Sequence, residues 1–377
     1  MKQSMSILTV IVFSLLVSSP AFAGTNAVKA TNLDQKPLLL LTAAQSGDTE
    51  IVGKLIAEKI NIEAKDDYGR TALHVAAEHG QAEVVTMLIA AGADIEAKTN
   101  LVISMYWQWT PLMTASHWGR TEVAELLIDA GADVNATGNC SQCGHWTSLH
   151  LSADKGYIGI AKLLIAKNAN LEAKTDYTGD TPLFNAAREG HRAIAELLID
   201  KGANVNAVNT SASMPLHIVA STGDIDIVRL LIANGADIHA KTVAGTTPGG
   251  TPLHATAYAG NIQIAELLLA KGADVNAASK NGYTPLRRAV DQHNLSMVNL
   301  LIEKGANVAT TDSNGVTLLH IIAKTDQVAI ANLLISRGAD INAKDKIFGI
   351  TPLDYAQDGD KGMIETLEGH GGACTIC

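Results

Sequence analysis

The 377-residue sequence predicts an all-α solenoid, built of stacked helix pairs joined by hairpin-like loops. The first observation is a phrase that recurs nine times, opening near positions 71, 110, 147, 181, 214, 251, 284, 317 and 351. The second is a companion phrase, Gly-Ala-Asp or Gly-Ala-Asn followed by Val or Ile, at Gly92, Gly131, Gly202, Gly235, Gly272, Gly305 and Gly338. The third is composition: 47% hydrophobic residues but only 4% aromatic ones, which suits many small, closely packed helices better than one large core.

The opening phrase reads Thr-Pro-Leu-His in its fullest form, as at Thr251-Pro252-Leu253-His254. Successive openings lie 39, 37, 34, 33, 37, 33, 33 and 34 positions apart, so the base period is 33 with insertions at several joints. Thr caps a helix because its hydroxyl accepts a first-turn amide, and Pro is tolerated at the first helical position, where its missing N–H costs nothing. A helix therefore starts at each phrase. Small pairs such as Ala76-Ala77 and Ala186-Ala187 allow close packing, and Gly80, Gly119, Gly156, Gly190, Gly223 and Gly260 end it. Apolar residues at helical spacing, as in Ile194, Leu197, Leu198 and Ile199, predict a second helix that stops at Gly202. In the third copy Asn168 takes that glycine's place.

Along the chain, residues 1–23 read as a signal peptide: Lys2, an apolar run from Ile7 to Val17, and Ala21-Phe22-Ala23 before the expected cut. The run is short of the roughly 20 residues of a spanning helix, so no membrane insertion is expected after cleavage. Residues 24–36 form a polar leader and 37–373 the repeats, with Leu38 to Ala64 as a degenerate N-terminal cap. The last copy lacks the Gly-Ala-Asp exit and should end in a polar cap, Glu365 to His370. Residues 374–377 are a Cys-x-x-Cys tail.

These phrases resemble the ankyrin repeat family over essentially all of 37–373. The resemblance implies a non-enzymatic solenoid that binds a protein through a concave groove and loop tips. It also implies a structural role for the fourth phrase position, His74, His150, His217, His254 and His320, bonding between neighbouring repeats. Catalytic signatures such as a phosphate-cradling glycine loop or His-Glu-x-x-His do not occur, and no cofactor is expected. A net charge of -10 argues against nucleic acid as partner.

Cys140 with Cys143, and Cys374 with Cys377, are expected to form two local disulfides in an exported chain. A single zinc site on all four is excluded by separation, about 50–60 Å across some six helix layers. A metal or redox site on Cys140, Cys143 and His145 stays open as an alternative.

The partner-binding expectation rests on aromatic clustering. Trp107, Trp109, Trp118 and Trp146 fall within forty positions of a chain otherwise poor in aromatics. Together with Tyr106, His117, Tyr68, Arg70, Tyr177 and Tyr283, they are expected to form an exposed hot-spot surface on the groove and tips. The chain is expected to be a monomer, periplasmic or secreted, that holds an unidentified protein. Gripping a protein of another cell as a secreted effector is the alternative.

Overall fold

The computed structural model describes residues 36–100, 108–140, 144–244, 248–357 and 361–376. The expected signal peptide and nearly all of the polar leader lie outside these residues.

Two rows of helices alternate along the chain. The inner row comprises α1 (Lys36–Ser46), α3 (Ala72–His79), α5 (Pro111–Trp118), α7 (Ser148–Lys155), α9 (Pro182–Arg188), α11 (Pro215–Thr222), α13 (Pro252–Ala259), α15 (Pro285–Asp291), α17 (Leu318–Ile322) and α19 (Pro352–Ala356). The outer row comprises α2 (Thr49–Ala57), α4 (Ala82–Ala90), α6 (Thr121–Asp129), α8 (Ile158–Ala166), α10 (Arg192–Asp200), α12 (Ile225–Ala233), α14 (Ile262–Ala270), α16 (Leu295–Glu303), α18 (Val328–Ser336) and α20 (Lys361–Gly369). After α1 the inner helices run 5 to 8 residues, whereas each outer helix has 9. Stacking short helices against longer ones curves the solenoid toward its inner row, which makes that row the concave side.

The starts and stops are those the phrase dictates. Thr110, Thr147, Thr181, Thr284, Thr317 and Thr351 each cap their helix by accepting the amide three residues on. Gly80, Gly119, Gly156, Gly223 and Gly260 end inner helices in the left-handed conformation. Where the companion glycine is replaced, Asn168 adopts the same backbone at φ 65°.

The core is equally periodic. The phrase leucine is buried in every copy from Leu73 to Leu353, and so is the outer-helix series Leu88, Leu127, Leu164, Leu198, Leu231, Leu268, Leu301, Leu334 and Leu367. Each helix pair buries these side chains only against its neighbours, so the stack is stabilised layer by layer.

Two local features go beyond the repeat pattern. The insertion before the third copy is a short antiparallel hairpin, with β1 (Thr137–Cys140) paired to β2 (Gly144–Thr147), Gly138 opposite Trp146 and Cys140 opposite Gly144. The last repeat also keeps its exit turn: Gly371 is left-handed at φ 87° and stands 33 positions after Gly338. A different triplet supplies the same turn because only the backbone conformation is required there.

Candidate functional site

The concave side combines the inner helices with loop fingers that precede them. Several fingers are closed by an acidic or amide side chain and others by the hydroxyl of Thr99, Thr175 or Ser279: the Asp66 carboxylate accepts the amides of Tyr68 and Arg70, and Asn209 Oδ1 those of Ser211 and Ser213. Asp345 Oδ1 does the same for Ile347, Phe348 and Gly349. Neighbouring fingers join through backbone bonds, Thr210 N to Thr178 O, Val243 N to Ser211 O and Lys346 N to Asn314 O, all within 2.8–2.9 Å. The fingers therefore form a fixed rim rather than independent loops.

Between rim and core lie the phrase histidines. His74 Nε2 donates to Trp109 O at 2.9 Å, His150 to Asp180 O at 3.1 Å and His217 to Ala240 O at 3.0 Å. His254 donates to Tyr283 O at 2.9 Å and His320 to Ile350 O at 3.0 Å. Every acceptor belongs to the segment leading into the next repeat. The other nitrogen, Nδ1, accepts the capping residue's amide in each case, from Thr71, Thr147, Met214, Thr251 and Thr317. One neutral ring with its proton on Nε2 thus satisfies two groups. Burial pushes the pKa of His74, His150 and His254 down to about 4 and lowers that of His217. These side chains are inter-repeat braces, as the family resemblance implied.

A second ladder runs along the exit turns. Asn206 Oδ1 accepts Asp237 N at 2.8 Å while its Nδ2 donates to Gly235 O at 3.0 Å, and Asn135, Asn276 and Asn342 repeat this two-way bond. Glu63, Glu96 and Glu172 supply the acceptor half. Single-sequence reading missed this function of the residue two places after Asp or Asn, although the periodic Asn and Glu were visible.

The expected aromatic hot spot divides. Trp109 and Trp146 are 3% and 8% exposed and form a buried satellite cluster with Met113 and Leu151, so they are not surface anchors. Trp109 is covered by the hairpin: its Nε1 donates to Asn139 O at 3.1 Å, and a Cβ at Gly138 would lie 2.7 Å from its ring. The physical reason is the insertion, which places β1 over a site that a plain loop would leave open. Trp107 and Tyr106 lie outside the described residues.

Trp118 does reach solvent, at 38% exposure. His117 links it inward, with its ring edge-on to Trp109 at 5.1 Å and to Trp118 at 5.3 Å, and burial lowers its pKa to about 4. Tyr68 and Tyr177 stand exposed at finger tips. Arg70 is ion-paired to Asp66 and Glu78, while Tyr283 lies under the guanidinium groups of Arg287 at 4.6 Å and Arg288 at 5.0 Å. On the groove floor the Arg188 guanidinium meets Asp154, Asp180 and Glu189. Reasoning from sequence missed Tyr258, which is exposed beside Arg288, although position seven after each phrase opening, the register that Arg188 shares, would have found it.

Of the cysteines, Cys374 is half of a disulfide, and Cys143 and Cys377 lie outside the described residues. Near the Cys140 hairpin, His145 Nδ1 pairs with the Asp176 carboxylate. Among the described residues no group of three or more His, Cys, Asp or Glu side chains is placed to hold a metal ion, and no helix is long and apolar enough to cross a membrane.

Helix-pair layers, capped by Thr-Pro and braced by a histidine into the next layer, define a repeat solenoid. Family models described as ankyrin repeats match residues 11–99, 40–138, 99–175, 136–209, 193–232, 216–312 and 301–356, and the chain belongs to the ankyrin repeat family. A stretch of 102 residues is 29% identical to the B-cell lymphoma 3 protein homolog of Mus musculus, covering 27% of this chain and 23% of that protein. The chain thus matches under a quarter of that relative's length. Ankyrin repeats generally mediate protein–protein interaction and their proteins are typically non-enzymatic scaffolds.

Proposed function

We propose that the chain is an exported protein-interaction scaffold, acting in the periplasm or extracellular space as a monomer without a cofactor. The concave face holds one partner protein, and no chemical step is performed on it. The observation that carries this reading is the pairing of exposed aromatic side chains, Trp118, Tyr68 and Tyr177, with a backbone that the finger bonds and histidine braces hold in place. Aromatic anchors on a pre-ordered surface lose little entropy on binding, which is what makes hot spots.

Export is supported by the anatomy of residues 1–23, and an oxidising compartment by the two Cys-x-x-Cys pairs, which we assign as Cys140–Cys143 and Cys374–Cys377 disulfides. The outer side of α20 is polar, with Lys361, Glu365 and Glu368 exposed.

The test is affinity capture from the exporting compartment with the mature chain, beside a Trp118→Ala, Tyr177→Ala double variant. A protein retained by the former and lost by the latter supports the reading. Equal retention by both overturns the placement of the site, and a mature chain that still carries residues 1–23 overturns export.

A further inference from the structure

Between the two fingers joined by the Val243 N to Ser211 O bond, the groove floor opens into a notch of about 370 Å³. Its floor is supplied by α11 and α13. The cause is legible in the repeat register. Seven positions after the phrase opening the repeats carry Glu78, His117, Asp154, Arg188, Ser221, Tyr258, Asp291 and Lys324, of which Ser221 is the smallest. Four positions after the opening Ala255 is likewise the smallest, against Val, Thr, Leu, Asn, Ile, Arg or Tyr elsewhere. The two small residues fall in adjacent repeats and both line the notch.

Among the described residues no charged side chain lines it, although Arg188 with its carboxylates precedes it in the repeat order and Arg288 with Asp291 follows. Burying an ionised group in an uncharged notch would forfeit its hydration without a counter-ion, so the lining selects against charge. The exposed ring of Tyr258 borders it together with the edges of the buried His217 and His254 rings, and Ile218 adds aliphatic surface. Rings favour an aromatic guest through edge and offset-stacked contacts. The volume lies at the low end for ligand pockets and is enough for one large side chain. The notch is also one step of the concave face, which continues past it in both directions.

We propose that this notch takes one uncharged aromatic side chain from an extended segment of the partner protein, an inference that rests on the concave face being the binding surface. Ser221 is exposed and its hydroxyl braces no other repeat, so Ser221→Trp fills the notch on a folded chain. Ala255→Phe fills it from the other wall.

The experiment selects from a phage-displayed library of random peptides about twelve residues long on the full mature chain. Selected peptides are then synthesised and their affinities measured for the parent, Ser221→Trp and Ala255→Phe proteins, each with an unchanged thermal melt. The expected result is a shared Phe, Tyr or Trp whose replacement by Ala weakens binding about tenfold, and a similar loss in either filled variant. Peptides that enrich but bind both filled variants unchanged, or that share a charged anchor, overturn the notch and leave the concave-face reading standing. No enrichment on the parent chain overturns both.

Discussion

The Asp354 carboxylate accepts both the amide and the hydroxyl of Thr375, at 2.8 and 2.6 Å. Asp354 occupies the phrase position that holds a histidine in five other copies, and the difference has a chemical sense. A histidine there donates forward into the next repeat. Here the residues that follow are Ala373 to Ile376, and a carboxylate receives the Thr375 and Ile376 amides, while the Thr351 hydroxyl lies 2.9 Å from Asp354 Oδ2 and 2.7 Å from Ala373 O. Burial works against the charge, but the bonds from Thr351 and Thr375 outweigh it and hold the carboxyl well below its ordinary range.

Replacing this acceptor should release the tail. Asp354→Asn is expected to cost about 1.5–3 kcal/mol, the usual range for bonds to a charged group, and to do so only in the last repeat. Hydrogen exchange checks it: the Thr375 and Ile376 amides should exchange faster while those of the first repeats keep their rates. Because the folded carboxyl is depressed, its contribution is full at neutral pH and is lost only as pH falls below the ordinary carboxylate value of 3.8.

The braces predict a second, separate acid response. His74, His150 and His254 stay neutral in the fold to about pH 4, whereas an unfolded chain takes up these protons near 6.5. The unfolded state therefore binds more protons below 6.5, and stability falls as pH drops from there toward 4. Each brace adds a slope of up to about 1.4 kcal/mol per pH unit. Denaturant midpoints at pH 7.5, 6 and 5 should decline only below 6.5, and His254→Gln should remove about one proton from the slope.

The two tryptophans beside His117 should respond oppositely to truncation. Trp109→Ala empties a buried cluster and is expected to cost about 3–5 kcal/mol, whereas Trp118→Ala should cost under about 1 kcal/mol. Thermal melts of the two variants decide it. Equal shifts would contradict the division of the aromatic cluster into core and surface.

A buried side chain offers a gain rather than a loss. The Asn185 amide is fully buried, and neither Oδ1 nor Nδ2 has a hydrogen-bond partner among the described residues, in a position filled by Leu151 one repeat earlier. Asn185→Leu should raise stability by about 1–3 kcal/mol, read as an upward shift in denaturant midpoint without a change in slope.

The fold was legible because its determinants are local. Thr110, Pro111 and Gly119 specify where a helix begins and ends through their own hydrogen bonds and φ preference, so nine copies of the phrase place nine inner helices. The site was less legible, because exposure depends on what covers a residue. Trp109 and Trp118 are both tryptophans beside one repeat's inner helix, and what separates them is the hairpin and the Met113, Trp146 and Leu151 cluster that cover the former. The braces came from family resemblance, but their geometry shows why histidine suits: a neutral ring donates at one end and accepts at the other. The partners of Arg188 were not legible, because Asp154, Asp180 and Glu189 are brought together from two repeats.

The central claim is that the concave face is the binding surface, and cross-linking with mass spectrometry tests it most directly on the captured complex. Lys155 and Lys280 sit on the inner-helix and finger side, while Lys54, Lys201 and Lys271 lie on or just after outer helices. The account predicts cross-links to the partner from Lys155 and Lys280, abolished together with capture in the Trp118→Ala, Tyr177→Ala variant. Cross-links from Lys54, Lys201 and Lys271 alone, persisting in that variant, would contradict it.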